Sequence, residues 1–241
     1  MKKILCILNT FVIFCCGACE EEKVAKISLQ NVVVTTPKVG PSAKKVETYV
    51  VDYANFPKNA AGKEIWKKNE KTGKADVTVV TDSELKLKVL KVKSDKASFY
   101  FQKEINIDLK KFEIASWKWK VSKNPKGGDV RAGSTDDQAI QVIFAFEGDY
   151  LLSYIWDPTA PVGYSKDASI LFIVTQKVLV LESGEKNINQ WMEIRRNLKE
   201  DFKKLYKMDA PKLAGVAVQA NSQHTGTVCE SFLGPITFET K

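Results

Sequence analysis

The sequence predicts an all-β fold, an antiparallel two-sheet jelly-roll sandwich with one short connecting helix. Three observations carry that prediction. From Thr48 onward apolar and polar residues mostly alternate with period two, which puts one side of each strand in a core and the other in water. Gly, Pro, Asn and Asp interrupt the chain between these runs, as in Asn124-Pro125-Lys126-Gly127-Gly128-Asp129. A single short stretch repeats at helical spacing, so the strand–helix alternation of a parallel α/β fold is missing.

The chain opens with an address. Lys2 and Lys3 precede an apolar stretch from Ile4 to Cys16, and Gly17 and Ala18 lead into Cys19. A basic start, a brief apolar core and small residues before a cleavage point make an export signal, because the core is too short to span a bilayer. Small residues immediately before Cys19 resemble the bacterial lipobox, although Cys16 stands where Leu is usual. Residues 1–19 are therefore expected to be a lipoprotein-type signal peptide ending at a lipidated Cys19, held to a membrane by two or more acyl chains. Ordinary cleavage and release is the alternative. Glu20 after the cysteine fits sorting to an outer membrane, facing the periplasm or the exterior. Residues 20–47 read as a flexible tether, opened by Glu20, Glu21 and Glu22 and punctuated by Pro37 and Pro41. Such a tether reaches on the order of 30 Å. Val32 to Thr36 within it would make one edge strand.

Residues 48–241 form the predicted sandwich domain. Leu85, Leu87 and Val89 alternate with Lys86 and Lys88, and Ala115, Trp117, Trp119 and Val121 alternate with Ser116, Lys118, Lys120 and Ser122, so both Trp residues share one face. Further apolar or alternating runs are Val77–Val80, Ser98–Phe101, Ile140–Phe146, Leu151–Trp156, Ile170–Val174, Val178–Leu181, Leu213–Val218 and Ile236–Phe238. The helix is expected after Asn197, whose side-chain oxygen can cap free backbone amides, with Leu198, Phe202 and Leu205 at helical spacing through Tyr206.

Composition bounds the function. Four of the five cysteines (Cys6, Cys15, Cys16, Cys19) lie in the leader, so Cys229 has no partner for an intramolecular disulfide and stability rests on a core. Twelve Phe and five Trp supply the bulk for one sizeable domain. The net charge is +8, or +6 without Lys2 and Lys3, spread over the domain with no basic stripe. A dispersed positive field favours anionic surfaces without giving specificity. Lysines that solvate sheet edges and block strand pairing explain it equally well. Nucleic acid is not an expected partner of an exported chain, and no cofactor or metal is expected.

Several groups of residues invite a chemical role. Asp136-Asp137 resembles an acid–base pair, yet neighbours on an extended chain point apart, so one of them is expected to accept backbone amides and end a loop. Calcium held by loop oxygens is a further option, without the spaced Asp/Asn/Gly pattern that would support it. Asn221-Ser222-Gln223-His224-Thr225-Gly226-Thr227 is the densest polar cluster and holds the only His. One His cannot build a multi-His zinc site, Cys229 lacks a second Cys, and no Gly-x-Ser-x-Gly frames a nucleophile. Turn-building and ligand contact fit this segment equally. Tyr154-Ile155-Trp156-Asp157-Pro158 leads into a loop ending at Pro161-Val162-Gly163-Tyr164, where aromatic rings beside Asp, Asn and Gln suit a pyranose, stacking on its apolar face and bonding its hydroxyls. Trp156 serves equally well as core, Trp191 is assigned to the core, and Cys229 reads as a small buried apolar residue.

The order Trp117-Lys118-Trp119, Asp136-Asp137, Tyr154-Ile155-Trp156, Gly163, Ser183-Gly184, Trp191, Arg196-Asn197, Asp201-Phe202 and a closing strand after a polar turn resembles a family of exported bacterial proteins catalogued as a domain of unknown function, DUF3047. The resemblance covers roughly Val50 to Phe238. It implies a jelly roll similar to galactose-binding and other carbohydrate-binding modules, with no reaction assigned. Many relatives place an Arg four residues after the second Asp, where this chain has Gln141, and an acidic turn where it has Asn221 to Thr225. A metal site or charge relay built on those groups is not expected here.

The first functional expectation is an envelope-anchored, non-catalytic module that binds a glycan or cell-wall polymer through Trp156, Asp157, Tyr164, Arg131, Asn221, Gln223 and His224. Arg131 is included because its guanidinium would pair an acidic sugar. The alternative is a polysaccharide hydrolase or lyase using Asp136 or Asp137 with His224. A structural or assembly subunit of the envelope, docking through a sheet face, is the third.

Overall fold

A computed structural model describes residues 46–170 and 174–240. The leader, Cys19, the tether up to residue 45 and the Val32–Thr36 run lie outside the described residues. Fourteen strands and one α-helix are found among the rest.

The first sheet holds β1 (Thr48–Val51), β3 (Asp76–Thr81), β4 (Lys88–Asp95), β6 (Ile114–Lys123), β11 (Met192–Asn197), β13 (Val228–Leu233) and β14 (Ile236–Glu239). Its order is β1-β14-β6-β13-β4-β3, with β11 also on β6. Trp119 of β6 pairs with both Met192 and Leu233, and Ile114 with both Asn197 and Glu239. So β13 and β14 run end to end along one edge of β6, and β11 takes the other. The second sheet is β2-β5-β12-β7-β8-β10-β9, made of β2 (Lys67–Thr72), β5 (Ser98–Ile107), β7 (Ile140–Phe146), β8 (Tyr150–Asp157), β9 (Ser165–Ile170), β10 (Val174–Ser183) and β12 (Leu213–Asn221). Every strand pairing is antiparallel except β8 with β10, which run parallel because β9 is inserted between them in the chain and folds back on the outer edge of β10.

The core lies between the sheets, where the expected alternation places it. Ala115, Trp117, Trp119 and Val121 are all buried. Trp117 meets Phe144 and Tyr154 of the opposite sheet at ring separations of 5.7 and 5.5 Å, and Trp119 meets Trp156 at 6.3 Å. Interlocked rings of this kind dominate the energetics of a sandwich, since each buries a large apolar area and the tilted contacts add to it.

The helix α1 (Leu198–Tyr206) has the predicted bounds, and Asn197 Oδ1 accepts from the Glu200 amide at 3.0 Å. Phe202 packs on Phe146 at 4.6 Å, closing one end of the sandwich. Beside it Asp201 accepts from Tyr154 Oη at 2.6 Å and from Arg196 Nε at 2.7 Å, which satisfies a buried phenol that would otherwise lose its hydrogen bond.

Two strand expectations are corrected, and β2 is not among the strands expected. Leu85 and Leu87 sit in a turn, closed by hydrogen bonds between Asp82 and both Lys86 and Leu87, with Lys86 at φ 56°. The strand starts only at Lys88, and Leu87 is exposed. The Ile170–Val174 run is divided between the end of β9 and the start of β10, which face each other. Charged β2 carries no hydrophobic alternation at all, and it forms because its backbone completes the edge of β5.

Candidate functional site

The outer face of the second sheet carries a groove of about 350 Å³. Its shape follows from register. One row across the strands reads Gln102, Ala217, Ile143, Ser153, Val178 and Lys166, and the row beside it reads Glu104, Gly215, Ala145, Leu151, Gln176 and Ala168. Ala217, Ser153, Gly215 and Ala145 are small, which keeps both rows low near their centre. Ile143, Ala145, Leu151, Val174 and Ala217 form a buried apolar floor separate from the main core. The opposite flanking row, Tyr100, Gln219 and Gln141, is polar.

Loops raise the wall at the polar end. Asp137 is fully buried and accepts from the Thr225 amide at 2.7 Å, Thr225 Oγ1 at 2.8 Å and the His224 amide at 3.3 Å. It therefore ends the loop and builds the turn 222–225, the structural role expected for one of the two aspartates. Asp136 points the other way, into the groove, where Lys166 Nζ lies 2.8 Å from its Oδ2 and Gln138 Nε2 donates to Oδ1 at 2.9 Å. Gln141 Nε2 donates to Gln138 Oε1 at 2.8 Å and to Asn221 Oδ1 at 3.0 Å, and Asn221 Nδ2 donates to the Asp136 carbonyl. This network locks the amides of one wall in place. Gln219, between Tyr100 and Gln141, is half-buried, and its side chain has no hydrogen-bond partner among the described residues. Its amide is left for whatever enters the groove. Burial pushes the Tyr100 phenol up to about 12, so this wall residue stays a neutral donor.

The structure brings together some expected site residues and separates others. Asn221, Gln223 and His224 line the groove with Asp136. His224 Nδ1 is 3.4 Å from Asp137 Oδ1, and its side chain is 41% exposed. Trp156 does not serve as a stacking platform: it is fully buried against Trp119 and donates to the Gly184 carbonyl at 3.1 Å. Asp157 is equally buried, accepting from the amides of Val130, Thr159 and Ala160 at 2.8, 2.8 and 2.5 Å, so it staples two loops and reaches no ligand. Burial raises its carboxyl above the usual range. Arg131 is exposed and turned onto Asp129, at 2.8 Å from Nε to Oδ1 and 2.6 Å from Nη2 to Oδ2. Tyr164 packs half-buried on the Val130, Ile155 and Val180 cluster, and neither it nor Arg131 lines the groove. Trp191 is half-buried on the first sheet, its ring 6.5 Å from Phe232. No group of three or more His, Cys, Asp or Glu side chains suited to a metal occurs among the described residues.

Gln138, Gln141, Gln176, Gln219, Tyr100 and Lys166 were missed as site residues. One signal was present in the sequence: Gln141 and Gln219 are polar interruptions of strands that are otherwise almost wholly apolar. In a strand covered on both faces such a residue needs a partner or a ligand.

Among solved structures, the chain is similar to the xyloglucanase domain of NopAA, a type three effector from Sinorhizobium fredii in complex with cellobiose, at 11% identity over 74% of this chain and 94% of that one, with a TM-score of 0.47. It is also similar to endoglucanase Cel12A from Rhodothermus marinus, at 8% identity over 73% and 92% of the two chains, TM-score 0.45. A third is the family 30 carbohydrate-binding module of a cellulosomal cellulase of Clostridium thermocellum, at 9% identity over 73% and 92%, TM-score 0.39. No curated protein matches the sequence. With the model of one family matching residues 64–237, the greater part of the sandwich, the chain belongs to the family described as protein of unknown function, DUF3047.

Proposed function

We propose that this chain is an envelope-anchored, non-catalytic binding module whose groove holds a segment of a glycan or cell-surface polymer. The observation that carries this is the pairing of an apolar floor with amide walls in one depression: Ile143, Leu151, Val174 and Val178 beneath, Gln138, Gln141, Gln176, Gln219, Asn221 and Gln223 around. A sugar presents the same two surfaces, C–H groups on its ring faces and hydroxyls at its edges. Amides both donate and accept, so one not already bonded within the wall, as at Gln219, can satisfy a hydroxyl whichever way it turns. Anchoring rests on the leader and Cys19 alone.

Calorimetric titration against a panel of oligosaccharides and wall fragments tests the site. Gln219→Ala removes a side chain with no described protein partner, so folding is unchanged while affinity falls about tenfold, the size of one or two lost hydrogen bonds. Silence across the panel, or unaltered affinity in that variant, refutes the proposal. Palmitate labelling that survives Cys19→Ala refutes the anchor.

The second reading, a hydrolase or lyase, is favoured by one observation: His224 lies beside Asp137 on the groove wall. Asp137 is sealed beneath the turn, so it would orient the imidazole without touching a substrate. Release of new chain ends from a bound polysaccharide, lost in His224→Ala, would establish it.

A further inference from the structure

We infer that the groove takes an acidic glycan, with a carboxylate or sulfate of the sugar seated on Lys71. This rests on the glycan-binding reading and names both the class of glycan and the residue that selects it. Lys71 lines the groove from the edge strand β2, and among the described residues its ammonium makes neither an ion pair nor a hydrogen bond. Its Nζ stands 5.5 Å from the centre of the Tyr100 ring.

Sequence and register put it there. Glu70 pairs with Phe99 and Thr72 with Ser98, so Lys71 is the extra residue of a bulge. A bulge releases one residue from the ladder and re-aims its side chain. The acidic groups around β2 are already engaged. Glu70 accepts from Lys68 Nζ at 3.0 Å, Lys74 Nζ at 3.4 Å and the Ala75 amide at 2.9 Å, and Glu104 pairs with Lys67 at 3.1 Å. The other lysine of the groove lining, Lys166, is held by Asp136 at 2.8 Å and by the Val130 carbonyl at 2.8 Å. Lys71 is therefore the lining cation left to a ligand. Asp149 also lines the groove without a described ion pair, in the turn from β7 to β8. Three strand spacings, about 14 Å, part β2 from β7, which exceeds the screening length of about 8 Å at physiological salt.

The surroundings of this ammonium suit a sugar that carries an acid. Tyr100, beneath Lys71, is paired with Gln219, whose amide is not bonded within the wall. An anionic group on Lys71 thus leaves a neighbouring hydroxyl within the province of Gln219. Lysine is a point charge with three donors, so it serves a carboxylate or a sulfate alike, and a charged hydrogen bond is stronger than one between neutral groups. The net charge of +8 adds a long-range pull on acidic polymers, and Lys71 gives that pull a position in the groove.

The test is calorimetric titration of the detergent-solubilised full chain with matched neutral, uronate and sulfated oligosaccharides at about 150 mM salt, where charges more than about 8 Å apart are screened. An acidic oligosaccharide is expected to bind about fivefold more tightly than its neutral counterpart, and the uronate and sulfate arms tell which acid the site prefers. Lys71→Gln breaks no ion pair or hydrogen bond of the described residues, and it brings that ratio below about twofold, whereas Lys71→Arg keeps it. Lys199→Gln, at an exposed position of α1 outside the groove lining, removes the same charge and leaves the ratio unchanged. Equal binding of acidic and neutral oligosaccharides, or a preference that survives Lys71→Gln or falls as far in Lys199→Gln, overturns the inference and leaves glycan binding standing. Absence of binding to every class overturns both.

Discussion

Asp136 and Asp137 are neighbours of identical chemistry, and their structural surroundings predict very different costs of removal. Asp137 is fully buried, and the turn 222–225 hangs on it through Thr225 N, Thr225 Oγ1 and His224 N. Hydrogen bonds to a charged group contribute about 1.5–3 kcal/mol each, and breaking such a buried set by removing one partner costs about 3–5 kcal/mol in all, since the donors left behind are unsatisfied. Asp136 makes one ion pair with Lys166 at side-chain exposures of 31% and 25%, and one bond from Gln138. A pair that wet contributes about 1 kcal/mol or less. Urea unfolding of Asp137→Ala and Asp136→Ala reads both. With a slope of about 3 kcal/mol per molar urea, the midpoint falls by about 1–1.7 M in the first variant and by about 0.3 M in the second. The slope itself should not change. Equal shifts, or a larger one for Asp136, would refute the assignment of the turn to Asp137.

Three further outcomes are expected. Burial pushes the Cys229 thiol up to about 12, so with the four leader cysteines replaced by serine the native protein should resist a thiol reagent at about pH 8 and react only on unfolding; reaction within minutes in the native state would contradict this. The Ala75 amide on its carboxylate, helped by Lys68, lowers Glu70 from 4.5 to about 2. A depressed carboxyl stabilises the fold above its unfolded value and loses that effect as pH falls through its folded one, so the stability gap between wild type and Glu70→Gln should be complete above pH 4.5 and closed by about pH 2. Asn197→Ala removes the cap on Glu200 N, and chemical denaturation should show a loss of about 1 kcal/mol that Asn197→Asp largely avoids.

Much of the fold was legible because its strands alternate cleanly. Ala115 to Val121 declares its faces, and Asn197 with Leu198, Phe202 and Leu205 declares the helix and its start. Leu85 and Leu87 show where pattern fails: two alternating leucines lost to a turn that Asp82 closes through its backbone and side chain. The candidate site was legible only in part. Asn221, Gln223 and His224 were found because polar residues bunch there in sequence. The groove floor was not, because Ile143, Leu151 and Val178 come from three strands and meet only through register. Trp156 and Asp157 drew attention by composition, yet a ring and a carboxylate look alike in sequence whether they face solvent or are sealed inside.

In the second sheet the backbone divides two constituencies of side chains. Tyr154 and Val218 face the aromatic interior, while Ile143 and Leu151, on the opposite face, line the groove. Substitutions at the second kind of position can reshape the groove side of the sheet without disturbing the joinery that holds it together. Relatives should diverge one residue in two there, keeping a common frame while varying the groove.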